Sequence, residues 1–229
     1  MNENNEFLKT TQNYIITFLK APISTIQKRD LNFTGAVVLL GLLPFALFLA
    51  IWSFLNQFIN TAVILVSSSF GGLGSFLTPN AANIRAEAMM QINWGLVFFG
   101  ALTLVATWFS LMIFVPILIT KFMKDAEPVC LKVLFSKTAA STIPMTILFL
   151  VATILGFVHL ATWILPFVIA LVIPILLHLF VVGLLWRLGA DKTTYIVLVT
   201  QVIVAISVSL IAAMFVRLIG GLLLEGMFW

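Results

Sequence analysis

The chain has 229 residues, 62% of them hydrophobic and 9% charged, with a mean hydropathy of +1.19. Soluble domains carry about 25% charged residues, so a water-soluble globule is excluded. Twelve basic and eight acidic residues give a formal charge of +4, too dispersed for a nucleic-acid surface. That leaves the lipid bilayer as the expected partner, with anionic headgroups on the basic side. Cys130 is the sole cysteine, which rules out an internal disulfide and a cysteine-based metal cluster within one chain.

Residues 1–32 read as a cytoplasmic amphipathic segment. Glu3, Glu6, Lys9, Lys20, Lys28, Arg29 and Asp30 interrupt any apolar core, so a cleavable secretory signal is not expected and the N-terminus should persist. In "FLKTTQNYIITFLKAPISTIQK", Phe7, Leu8, Tyr14, Ile15, Phe18, Leu19, Ile23 and Ile26 recur near helical spacing. The expectation is a helix lying among the inner headgroups, bent or restarted at Pro22.

Residues 33–229 are expected to form an all-α transmembrane domain, because about 20 apolar residues cross the roughly 30 Å of hydrocarbon. Five spans are predicted, over about 33–56, 93–120, 139–158, 163–186 and 194–217, with Pro44, Pro116, Pro166 and Pro174 inside them. Neighbouring helices can accommodate such prolines in a bilayer. The serine- and glycine-rich stretch 67–79 between the first two spans reads as a flexible outer loop, with a re-entrant, filter-like loop as the alternative. It is not a nucleotide fingerprint, since no lysine follows Gly71, Gly72 and Gly74 at the P-loop position. Before the third span, "KDAEPVCLKVLFSKTAAST" predicts a short helix capped by Asp125, with Pro128 in its first turn and Val129, Val133 and Leu134 on one side. It too is expected to lie on the inner leaflet.

Ten of the twelve basic residues fall in the N-terminal segment, in the loop after the second span and in the loop after the fourth. Only Arg85 and Arg217 lie elsewhere. With five spans all ten share one side, which the positive-inside rule makes cytoplasmic. The expectation is an N-terminus inside, a C-terminus outside, and residence in the cytoplasmic membrane. A four-span arrangement with a re-entrant third stretch would divide these charges and is disfavoured.

No predicted span holds an Asp or Glu in its apolar interior, whereas proton and cation relays usually need intramembrane carboxylates. No HExxH, GxSxG or Cys/His cluster is present. Catalytic residues, cofactor and metal are therefore all expected to be absent. The exceptional intramembrane residue is His178, within "ALVIPILLHLFVVGLLW". Roughly 12 Å from the end of its helix by the 1.5 Å rise, it is expected to be neutral and to exchange hydrogen bonds with Gln201 and Ser207 of the next span. Ala205, Ser209 and Ala213, four residues apart in the fifth span, and Ala152 and Gly156 in the third are predicted helix-packing positions. They would serve contacts within the bundle, with a homodimer seam or another membrane protein as the alternative.

In the order of its parts the chain resembles the bacterial Yip1-like membrane proteins. The resemblance rests on "LKVLFSKTAASTIPMTILFLVATILGF", whose "AASTIP" looks like the family's approach to the third span, and on "WRLGADKTTYIVLVTQVIVAISVSLIAAM". "RDLNFTG" echoes the acidic-Leu-Gly-Pro element of eukaryotic relatives without its proline, a departure that bears on their association with small GTPases and vesicle traffic. The resemblance implies a five-span, non-enzymatic scaffold or accessory subunit in membrane organisation or trafficking. The rival expectation is a small permease or channel subunit with His178 and Gln201 as polar pathway elements.

Overall fold

The computed structural model describes residues 3–69, 81–123, 126 and 128–227, and among them every regular element is a helix. The helices are α1 (Glu3–Lys20), α2 (Pro22–Lys28), α3 (Phe33–Ser69), α4 (Ala81–Gln91), α5 (Trp94–Thr120), α6 (Leu131–Ser141), α7 (Ile143–Val158), α8 (Leu160–Trp186) and α9 (Ala190–Met227). Five stretches are long and apolar enough to cross a membrane: Phe33–Leu65, Trp94–Thr120, Leu131–Val158, Leu160–Trp186 and Ala190–Arg217. The protein is an integral, multi-pass, all-α membrane protein. Most of the loop 67–79, and Asp125 with its predicted cap, lie outside the described residues.

Local chemistry sets the helix ends. Pro22 lacks an N–H and sits in the first turn of α2, where none is needed. Asn32 Oδ1 accepts from Gly35 N at 2.8 Å at the head of α3, and Asn93 Oδ1 accepts from Leu96 N at 3.1 Å at the head of α5. Between α7 and α8 the chain turns at His159, whose backbone is extended and whose Nδ1 accepts from Ala161 N at 3.1 Å. This accounts for one of the two histidines as a helix cap. Arg187 ends α8 in the left-handed region, φ 49°, and Gly189 completes the turn into α9.

The five membrane-length segments close into a ring in the order α3, α5, α9, α8, α7 and back to α3. Adjacent helices run antiparallel except α3 and α7, since an odd ring of alternating helices must contain one parallel pair. The contacts show it. Ser136, near the start of the third segment, bonds to Leu31 beside the start of α3, and Gly156 near the end of α7 abuts Ser53, farther along α3.

Three boundaries depart most from the sequence expectation, one of them the end of α9 at Met227 rather than 217. α3 continues past residue 56 to Ser69, because no proline or glycine follows Pro44 before Gly71. Arg85 of α4 also donates to Asn56 Oδ1 at 2.8 Å and Asn60 Oδ1 at 3.5 Å, supporting this extension. The largest departure is α6. It does not lie on the leaflet: Cys130 occupies its N-cap position, Pro128 precedes it, and Leu134 and Ser136–Ser141 are buried. α6 packs against α3, α5 and α8 and continues into α7 after a break at Thr142. Pro144 causes the break by removing one backbone donor. Ser141 and Thr142 return hydrogen bonds to Thr138 O and Ala139 O, each 2.7 Å.

Candidate functional site

Buried polar side chains include a group at the basic end of the bundle and the isolated His178. At the basic end, α1 and α2 are seated on protein rather than only on lipid. Tyr14, Phe18 and Ile26 are buried in the cluster that also holds Leu134, Val181 and Trp186, while Ile16, Leu19 and Ile23 point outward. Helical periodicity places these residues on faces but cannot distinguish a protein neighbour from lipid.

Lys137 of α6 fixes this seat. It is almost fully buried, its ammonium donates to the carbonyl of Ile26, and it pairs with Asp30 Oδ1 at 2.8 Å. The preceding residue, Ser136, donates to Leu31 O at 2.7 Å. The connection between α2 and α3 is thereby tied to the start of the third membrane segment. A lysine buried in low dielectric needs such compensation. Beside it, Tyr14 has its phenol pushed up to about 12, chiefly by burial and further by the negative charge of Asp30. The Tyr14 hydroxyl has no hydrogen-bond partner among the described residues. Sequence reasoning missed Lys137, which reads as one of four similar loop lysines. The one available signal was its neighbourhood "SKTAAST", whose small side chains suit a close helix contact.

His178 is fully buried on the inward stripe of α8 with Ala170, Pro174, Val181 and Val182. Neither ring nitrogen has a hydrogen-bond partner among the described residues. The expected bonds to Gln201 and Ser207 are not made. Gln201 turns to α5, its Nε2 lying 3.2 Å from Met112 Sδ, and Ser207 is half-buried farther along α9. The neighbouring helix α5 claims Gln201 because α9 packs more extensively on α5 than on α8.

The packing positions divide. Ala152 is fully buried, and a Cβ at Gly156 would lie 2.5 Å from Ser53 Oγ and 2.9 Å from Trp163 Cδ1. Here α3, α7 and α8 meet, with Trp163 Nε1 donating to Ala50 O at 3.0 Å. Ala205, Ser209 and Ala213, by contrast, are exposed. The expectation that they serve contacts within the bundle is corrected: α9 buries Ile196, Val197, Thr200 and Val204 instead. Larger residues fill that contact, and the aromatic ring of Phe215 lies on Gly100 of α5.

Buried hydroxyls mostly satisfy themselves on their own helix. Thr120, Thr146 and Thr200 donate to carbonyls four residues earlier at 2.8, 3.0 and 2.7 Å, which lets a polar residue sit in an apolar surround. Among the described residues no three His, Cys, Asp or Glu side chains come together. A scan against protein-family models finds no match, and neither the curated proteins nor the solved structures contain a significant one.

Proposed function

We propose that the protein is a non-enzymatic scaffold or accessory subunit in membrane organisation or trafficking, of the Yip1-like kind, with its basic end facing the cytoplasm. The observation that carries this reading is the fate of the intramembrane polar groups. His178 is fully buried with neither ring nitrogen hydrogen-bonded among the described residues, Gln201 faces α5, and the buried Thr120, Thr146 and Thr200 return to their own backbones. A permease would need His178 and Gln201 on one wetted path, and here they face different neighbours. The asymmetry of ten basic residues supports the orientation, and the cytoplasmic membrane is the compartment it suits.

Affinity capture from native membrane after mild solubilisation tests the role. The reading expects a defined integral membrane protein retained in stoichiometric amount. Recovery of the protein alone would count against it. The permease reading has its own test in reconstituted vesicles, where a pH-driven flux abolished by His178→Gln in a folded protein would establish it.

A further inference from the structure

A cavity of about 420 Å³ opens between the α2–α3 connection and the head of α6, lined by Asp30, Asn32, Phe33, Lys132 and Ser136 among others. Its walls begin two adjacent membrane-length segments, at Phe33 and Leu131, so it lies where hydrocarbon gives way to headgroups. We propose that this cavity binds the headgroup of a phospholipid bearing a primary amine, a phosphoethanolamine diester.

The chemistry follows from which polar atoms are already engaged. Asp30 gives Oδ1 to Lys137, yet its side chain is 53% exposed, leaving Oδ2 open to an N–H donor. Lys132 is exposed at the rim with no ion pair to an Asp or Glu among the described residues. Asn32 spends its carbonyl oxygen on Gly35 N and keeps its amide N–H groups to donate. The floor is fixed, because Ser136 is bonded to Leu31 O. A phosphate diester meets Lys132 and the Asn32 amide, and a primary ammonium donates to Asp30. Phe33 is 55% exposed and its ring lies 5.3 Å from that of Phe135, an apolar surface suited to the glycerol and upper acyl chain.

This arrangement discriminates. A choline headgroup has no N–H to give Asp30, and a glycerol headgroup brings no cation to it. Free phosphoethanolamine shares the polar chemistry but lacks acyl chains to hold it at Phe33. The inference does not depend on the scaffold role or on the orientation, only on the cavity's place at a bilayer surface.

The test uses the full chain, delipidated in detergent, with lipid retention read by native mass spectrometry against equimolar ethanolamine, choline and glycerol phospholipids and free phosphoethanolamine. The ethanolamine lipid is expected to be retained preferentially, with free phosphoethanolamine far weaker. Lys132→Gln should lower its retention about tenfold, the scale of one charge-assisted contact, while leaving helicity and lipid-free melting unchanged. Lys20→Gln, an exposed lysine away from the cavity, should have no effect. Equal retention of the three lipids would overturn the proposal. So would an equal loss in Lys132→Gln and Lys20→Gln, or free phosphoethanolamine competing as well as the lipid.

Discussion

Tyr14 and Lys137 are separated by more than a hundred positions in sequence and share one neighbour, Asp30. Their roles differ in sign. The Tyr14 phenol, raised from 10.0 to about 12 by burial and by Asp30, stays protonated in the folded protein when the unfolded chain has ionised. Its contribution is complete below pH 10 and is lost as pH rises toward 12. Alkaline melting curves in detergent should therefore steepen over that window, and Tyr14→Phe should flatten them. Tyr14→Phe should be near neutral at pH 7, because the hydroxyl has no partner among the described residues to lose. An unchanged alkaline limb in Tyr14→Phe would contradict this. Lys137→Met removes the donor to Ile26 O and the partner of Asp30. With Asp30 half exposed, the expected cost is about 2 kcal/mol, concentrated in the seating of α1 and α2. Limited proteolysis should cut the segment before residue 33 faster in Lys137→Met, and equal cleavage rates would argue against the tie.

The five apolar helices were legible from hydropathy, because twenty-odd apolar residues have few other destinations. What surrounds each face was not. The same amphipathic pattern that seats Tyr14 and Phe18 in protein would have served equally to float α1 on lipid. The polar run "SKTAAST" looked like a surface helix although it fills the basic end of the ring. Small residues at four-residue spacing are likewise compatible with a helix contact or with lipid. The structure assigns Ala152 and Gly156 to the first and leaves Ala205, Ser209 and Ala213 on the outside. Gly156→Ala should destabilise by about 1–3 kcal/mol through overpacking against Ser53 and Trp163. Ala205→Leu should stay within about 0.5 kcal/mol. Melting in the same detergent separates the two. An Ala205→Leu variant as unstable as Gly156→Ala would place the α9 contact on the wrong face.

At the scale of the whole molecule, a ring of five alternating helices has its one parallel pair at α3 and α7, joined at one end by Ser136 and Leu31 and at the other by Gly156 and Ser53. The basic segments before α3, after α5 and after α8 all meet at the end closed by Lys137. In the proposed orientation, which rests on the positive-inside rule, that end faces the cytoplasm. Cys130 is the sole cysteine and is exposed, so it reports on that end without any substitution. Glu87, exposed on α4, reports on the other in a Cys130→Ser background. Intact cells should leave Cys130 unmodified by a membrane-impermeant maleimide until they are permeabilised, and should allow modification of the Glu87→Cys variant from outside. Modification of Cys130 in intact cells, with the Glu87→Cys variant protected, would contradict the orientation on which the functional account rests.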